Sequence, residues 1–355
     1  MAIYLHIGFP KTATTSLQLA FQEHQAGLQA ADICYPLADD DFKQRFLKHA
    51  DLKGIQKNPA LLKQFDGGFD AMKEVVRASG CSDVVLSCEE LSNFMMMEFD
   101  EDNLRRLRER LCEIDTDIRP VVYVRNPSDF YLSIMQERLK RHGGVLSAPG
   151  FKANFSRTIG LYEKVFANDA TVREFHPSKL KDGDIVADFL SAVGLERVDC
   201  SSWEPIASNE SLSPEALVVL DLARRDLEGS DNEISYAFRE SELLWRRLRK
   251  IMAEAGLSRK PVLFKGAHDA VMETNAAECD IMRDKYGIEF ADGKYVEGEP
   301  AVAEEHRISD VEGLMDLNRD QVFHIWSVLS LDLIREVFRM RNRVKQLKSD
   351  TTPAK

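Results

Sequence analysis

The residues from Gly8 to Ser16 form a short polar stretch in which one lysine is followed by four hydroxyl side chains. The alternating apolar residues before it predict a strand, and the spacing of Leu17 and Phe21 after it predicts a helix. The first amides of a helix have no acceptor within the helix and, together with the helix dipole, favour an anion. Lys11 adds a positive charge. The pattern predicts a phosphate- or sulfate-binding loop made of Pro10, Lys11, Thr12, Ala13, Thr14, Thr15 and Ser16.

The order of residues in this loop differs from that of a nucleotide triphosphatase loop, which reads G-x-x-x-x-G-K-[ST]. Lys11 comes three residues after Gly8 and precedes the hydroxyl residues, so ATP hydrolysis is not the direct prediction. Alanine at position 13 is expected to exclude a loop that needs a positive φ there. Alternatively, the stretch is the N-terminus of a helix and binds no ligand.

Two adjacent carboxylates, Glu89 and Glu90, follow the apolar stretch 83–88, which predicts a buried strand. Ligands of open α/β sheets lie beyond the carboxyl ends of the strands, where the loop of Lys11 is also expected, so either glutamate is a candidate general base. Alternatively, the glutamates begin the next helix, where negative charge is favourable. His49 is a further candidate acid, base or substrate contact, the alternative being an ordinary surface histidine.

Residues 120–133 combine a strand that ends at Arg125 with a helix that begins at Pro127. Ser133 follows eight residues after Arg125, about two turns along that helix. Arginine presents a fork of donors that matches phosphate oxygens, and serine adds one hydroxyl. We therefore predict a second anion site at Arg125 and Ser133. The alternative is an Arg125 paired with an acidic neighbour and a Ser133 that faces solvent.

Strands and helices alternate through the first part of the chain, which predicts an α/β fold with a parallel sheet and helices on both faces. Long helical patterns follow from Ala216, Glu240 and His268, and the last runs from 311 to 347. We expect a core at 1–205 and a helical region at 206–355 that packs on it. The last pattern ends in a basic stretch. We expect it to pack on the core with a solvated end, and contact with a membrane or partner helix is the alternative.

Bulk composition narrows the class of protein. The chain has 355 residues, of which 44% are hydrophobic and 30% charged, as in soluble globular proteins. The net charge of −12 disfavours nucleic acid or an anionic membrane as the general partner. The cysteines lack metal-ligand spacing, and neither a signal peptide nor a membrane-spanning stretch is visible. We expect a cytoplasmic protein with reduced thiols, no integral membrane segment and no metal site.

The segment Pro10-Lys11-Thr12-Ala13-Thr14-Thr15 resembles the 5′-phosphosulfate loop of sulfotransferases that use 3′-phosphoadenosine 5′-phosphosulfate (PAPS). About 110 residues later, Arg125-Asn126-Pro127 with Ser133 resembles the 3′-phosphate motif of the same family. The resemblance covers about residues 2–205, and Ala13 stands where the family usually has glycine. It implies a P-loop NTPase-like three-layer fold, with PAPS as co-substrate and no metal.

Within that family, the chain is similar to bacterial members and closer to the carbohydrate sulfotransferases. There a glutamate at the end of the corresponding strand is the base, which favours Glu89, with Glu90 in reserve. The resemblance implies that Lys11 neutralises the leaving phosphate, and that Arg125 and Ser133 hold the 3′-phosphate. It implies transfer of a sulfuryl group to a hydroxyl or amine of a small-molecule or carbohydrate acceptor. The alternatives are a P-loop nucleotide-dependent kinase and a non-catalytic nucleotide-binding protein of the same fold.

Overall fold

The computed structural model describes residues 1–37, 59–89, 91, 101–141, 144–204, 211–227, 234–298 and 310–350. Its strands are β1 (Ala2–Ile7), β2 (Ile33–Cys34), β3 (Asp83–Cys88), β4 (Ile118–Val124), β5 (Thr171–Glu174), β6 (Leu263–Phe264) and β7 (Tyr295–Val296). Its α-helices up to the fifth strand and just beyond are α1 (Thr14–Glu23), α2 (Gln25–Ala30), α3 (Pro59–Ser79), α4 (Glu101–Leu111), α5 (Pro127–Arg141), α6 (Phe155–Phe166) and α7 (Ile185–Ala192). The later helices are α8 (Pro214–Leu227), α9 (Ile234–Glu254), α10 (Lys265–Thr274), α11 (Ala276–Tyr286) and α12 (Arg319–Asp350).

Five strands form a parallel sheet in the order β2-β3-β1-β4-β5. Each residue of β1 is buried, as expected for a central strand of a parallel sheet that is covered on both faces. At its end, Ile7 lies opposite Cys88 of β3 on one side and Val122 of β4 on the other. The predicted α/β class with a central parallel sheet is confirmed.

Several predicted elements have the expected bounds. The strand at 83–88 and the start of a helix at Pro127 are both confirmed. The helix predicted after the loop of Lys11 is confirmed as α1, and the backbone leaves the helical region at His24, after which α2 begins. At this break the ring of His24 stacks on Trp203, with centroids 4.2 Å apart.

The chain divides into two compact units. The first comprises Met1–Phe130, Lys152–Asn209 and Asn275–Asp292, and it contains the five-stranded sheet. The second comprises Tyr131–Phe151, Glu210–Thr274 and Gly293–Lys355. The helix α11 lies in the predicted region 206–355, but in the structure it belongs to the unit that contains the sheet. Its Glu278 accepts a hydrogen bond of 2.8 Å from Ser156 Oγ of α6, which fastens it to the first unit.

The last helix begins at Arg319 rather than near residue 311. It packs against α8 and α9 in the second unit, and it buries three of its apolar residues there, namely Val322, Ile325 and Leu329. Further along, Leu333, Val337 and Phe338 are exposed. Exposure of this half agrees with the expected solvated end, and packing of the helix on the core at 1–205 stays a prediction. Of the helices in the described ranges, none offers a run of apolar residues sufficient to traverse a bilayer.

A chain of buried polar groups joins α1 to the sheet. Gln18 Nε2 donates to the carbonyl of Ser87 at 3.1 Å and to its hydroxyl at 3.3 Å, and that hydroxyl lies 2.8 Å from His6 Nδ1. The imidazole is fully buried and packs edge-on against Tyr123 and Phe189. Because burial disfavours the charged ring, the pKa of His6 falls to about 3. The folded protein therefore holds this histidine neutral.

We expect acid to destabilise the fold through His6. Its pKa in the folded state lies below the unfolded value of 6.5, so the unfolded chain binds more protons at pH below 6.5 and stability falls from there towards pH 3. Between pH 7 and 5 the loss should be about 2 kcal/mol, measured by chemical unfolding. His6→Gln, which does not titrate, should flatten this dependence, whereas the exposed control His324→Gln should not. An equal slope in wild type and His6→Gln would contradict the assignment.

Candidate functional site

The loop that joins β1 to α1 folds back closely on its own start. The Gly8 amide continues the sheet by donating to the Cys88 carbonyl at 3.0 Å. A Cβ atom added at Gly8 would lie 2.6 Å from the Thr14 side chain and 3.2 Å from Glu89 Cα. Both approaches are shorter than ordinary side-chain contacts, so only glycine fits this position without movement of its neighbours.

Two residues of the loop have left-handed backbone conformations. They are Lys11, with a φ of 66°, and Ala13, with a φ of 59°. The expectation that alanine excludes a positive φ at position 13 is therefore wrong. An L-residue can adopt this conformation at a cost of about 1–2 kcal/mol, and the surrounding structure offsets it. Here the Thr12 hydroxyl donates to the Phe9 carbonyl at 2.7 Å and the Thr14 hydroxyl approaches the same oxygen at 3.5 Å.

Two of the predicted hydroxyl donors therefore form hydrogen bonds within the loop. Thr12 and Thr14 are buried, and their hydroxyl protons are directed to the loop's own carbonyl. These two hydroxyls stabilise the loop. Since their protons are already donated, Thr12 and Thr14 can contact an anion only through their backbone amides. Thr15 is exposed and Ser16 is half-buried in the first turn of α1.

The start of α1 has the electrostatic character of an anion site. Its first turn contains no acidic residue, and Ala13 at the N-cap provides no side-chain hydrogen bond to the helix. The first-turn amides lack acceptors within the helix by geometry, and they carry the positive end of the helix dipole. Lys11 and Pro10 lie partly exposed just before them. The arrangement suits a phosphate or sulfate group.

A candidate base lies beside this loop. Glu89 follows β3 directly and is half-buried, and its Cα is the backbone atom that an added Cβ at Gly8 would approach. The register of β1 and β3 therefore brings the backbone of Glu89 to the loop, and the role of its carboxylate as a base stays a prediction. Glu90 and His49 lie outside the described residues.

Arg125 reaches the same loop from the other side of β1. It follows β4, and its Nη1 donates to the Lys11 carbonyl at a distance of 3.5 Å. Its Nε lies 4.0 Å from an oxygen of Asp129, and the guanidinium lies over the ring of Phe175 at 6.0 Å. Burial lowers the pKa of Arg125, and the carboxylate of Asp129 opposes that shift. The acidic neighbour of the alternative is thus present, and the anion site at Arg125 stays a prediction.

Ser133 belongs to a different part of the molecule. It is half-buried on α5, and this helix begins in the first unit but runs into the second from Tyr131 onward. Its contribution to an anion site with Arg125 stays a prediction.

A group of hydrogen bonds next to Arg125, centred on Asn126, was not predicted from the sequence. The side-chain oxygen of Asn126 accepts hydrogen bonds from the amide and the hydroxyl of Ser128, and Asn126 thereby caps α5. The side-chain nitrogen of Asn126 donates to the Ala291 carbonyl at 3.0 Å. The Ala291 amide in turn donates to Glu174 at 2.7 Å. Burial raises the pKa of Glu174, and this hydrogen bond opposes the shift. Asparagine before Pro127 indicates a cap, but no local signal points to a residue 165 positions away.

The sheet order explains why these groups meet. The chain leaves β1 towards β2 on one side of the sheet, and it leaves β4 towards β5 on the other side. The adjacent strands β1 and β4 therefore form a topological switch point, where a crevice opens at the carboxyl ends of the strands. The loop of Lys11 and the guanidinium of Arg125 both lie at this end of the sheet. Their cationic and amide donors can bind two negatively charged groups of one ligand.

We compared the chain with models of protein families, with curated proteins and with solved structures, and none of the three comparisons gave a match.

We expect Gly8→Ala to lower the free energy of unfolding by about 1–3 kcal/mol, because the new methyl group overlaps the Thr14 side chain. In the double variant Gly8→Ala/Thr14→Ala, part of this loss should be recovered, because only the contact with Glu89 remains close. Gly160→Ala is the control, since its added Cβ meets nothing within 4 Å and should be neutral or slightly stabilising. Urea unfolding measures all three. Full stability of Gly8→Ala would show that the loop is not packed as described.

Proposed function

We propose that this chain is a PAPS-dependent sulfotransferase with a P-loop NTPase-like core. The activity is transfer of the sulfuryl group to a hydroxyl or amine of an acceptor, a carbohydrate or glycoconjugate by resemblance. The proposal rests on the two segments that resemble the 5′-phosphosulfate loop and the 3′-phosphate motif.

The observation that carries the proposal is the meeting of these two segments. They are separated by 114 positions in the chain, and yet Arg125 Nη1 lies 3.5 Å from the Lys11 carbonyl. A ligand that carries phosphate groups on both the 5′ and 3′ positions of one ribose needs two anion sites at the same end of the sheet, as the contact between these two segments allows. The donor set fits such a ligand, with helix amides and Lys11 on one side and the forked guanidinium on the other.

Each residue has a distinct role in the proposed reaction. PAPS, when bound, supplies the sulfuryl group, whose bond to the 5′-phosphate oxygen breaks as a bond to the acceptor oxygen or nitrogen forms. Lys11 neutralises the charge that develops on the departing phosphate oxygen. Glu89 accepts the proton from the acceptor hydroxyl or amine. Arg125 binds the 3′-phosphate, which ATP lacks, and thereby selects the nucleotide.

Selection by the 3′-phosphate gives the first test. In Arg125→Ala, affinity for adenosine 3′,5′-bisphosphate should fall roughly ten- to a hundredfold, as expected for loss of charge-assisted hydrogen bonds. Affinity for adenosine 5′-monophosphate should change little. Titration calorimetry gives both values. Asp129→Asn is the control, because it removes the acidic neighbour and keeps the guanidinium, and it should not weaken bisphosphate binding. Equal losses for both nucleotides in Arg125→Ala would contradict the assignment of Arg125.

The chemical step gives the second test. With PAPS and a panel of carbohydrate acceptors, wild-type protein should transfer sulfate in the presence of EDTA. Lys11→Ala should lower kcat roughly a hundredfold or more while affinity for the bisphosphate changes only a few-fold, whereas Lys11→Arg keeps the charge and should retain part of the rate. Phosphate transfer from ATP that EDTA abolishes would favour a kinase instead. Bisphosphate binding without transfer to any acceptor would favour a non-catalytic protein.

A further inference from the structure

The second half of α12 exposes an unusual number of large apolar side chains. Seven of them are between 42 and 60% exposed: Leu331, Leu333, Ile334, Val337, Phe338, Met340 and Val344. We call this set the outer apolar face. Single exposed apolar residues are common on protein surfaces, but several of them on successive turns of one helix indicate an interaction site.

Between residues 331 and 344 the same helix has more basic than acidic side chains. Asp332 and Glu336 both pair with Arg247 of α9, so each of these acidic groups has a cationic partner. The basic side chains Arg335, Arg339, Arg341 and Arg343 are exposed. Helical spacing places Arg335 next to Leu331 and Phe338, and Arg339 follows Arg335 one turn later. The surface presented outward is thus apolar and positively charged.

This combination limits what can cover the face. An apolar helix side flanked by arginines matches a bilayer surface, where apolar side chains enter the acyl boundary and arginines meet anionic headgroups. The net charge of −12 does not prevent this, because charges farther away than about 8 Å are largely screened at physiological ionic strength. A second copy of the chain, paired along the same face, would instead bring the arginines of two helices together.

We propose that the outer apolar face, with its bordering arginines, is a docking surface for membranes that contain anionic phospholipids. The helix lies on the membrane and does not cross it. This inference is independent of the proposed sulfotransferase activity, and neither Lys11 nor Arg125 takes part in it.

Flotation with vesicles tests the proposal. The full chain should float with vesicles of phosphatidylcholine and phosphatidylserine in a roughly three-to-one ratio, and binding should weaken with added salt. It should not float with phosphatidylcholine alone. Equal binding to both kinds of vesicle, or to neither, would overturn the proposal.

Two double variants separate the apolar from the charged contribution. Ile334→Gln/Phe338→Gln should lower the partition coefficient at least about tenfold, because two apolar side chains no longer enter the bilayer. Arg335→Gln/Arg339→Gln should lower it about thirtyfold on anionic vesicles. Leu243→Gln is the matched control, an exposed apolar residue on α9 outside the face, and it should bind as wild type.

The variants replace exposed side chains, so circular dichroism should report the same folded protein in each. If neither double variant changes flotation, the face is not the docking surface. Sedimentation without lipid addresses the competing occupant. A dimer that Ile334→Gln/Phe338→Gln dissociates would show that a second copy covers the face, and the proposal would be wrong.

Discussion

The central position of β1 is the constraint on which the candidate site depends. Parallel pairing with β3 on one side and β4 on the other brings three strand ends to one edge of the sheet. The residues that follow these strands then have little choice of neighbour, because adjacent parallel strands lie only about 5 Å apart. The loop of Lys11 therefore lies between Glu89 and Arg125, groups that are far apart along the chain.

The loop itself is held in a conformation that its residues do not favour. Lys11 and Ala13 both occupy the left-handed region, and Gly8 is crowded by Thr14. Such strain persists only where surrounding contacts determine the backbone. Sheet pairing of Gly8, the Thr12 hydroxyl and the start of α1 supply those contacts. A loop fixed in this way needs little rearrangement to bind an anion, which favours affinity because less conformational entropy is lost.

The polar contacts around Arg125 extend this rigidity beyond the loop. Asn126 caps α5 and also holds Ala291, and Glu174 holds the amide of the same residue. A segment from late in the chain is thus fastened next to the residue that approaches Lys11. In the second unit, α12 is held by such contacts over only part of its length. Its first half buries Val322, Ile325 and Leu329, whereas its second half meets solvent with an equally apolar side.

The amino-acid sequence alone determined the features that depend on near neighbours. The strand at 83–88, the helix start at Pro127 and the parallel α/β class follow from apolar runs, caps and alternation, and these act over a few residues. The loop was also visible in the sequence as a candidate anion site. Its left-handed Ala13 was not, because intrinsic preference opposes that conformation and only packing enforces it.

The tertiary structure decided which distant groups meet. Local sequence pattern cannot predict the contact between Lys11 and Arg125, which are 114 positions apart, or the hydrogen bond between Asn126 and Ala291. Strand order sets the first contact, and packing of the segment after α11 sets the second. The same holds for α12, where the apolar spacing of Leu333 and Val337 predicts a helix side but not what covers it. What covers each part of the helix depends on how far along its length it contacts α8 and α9, and only the folded chain determines this.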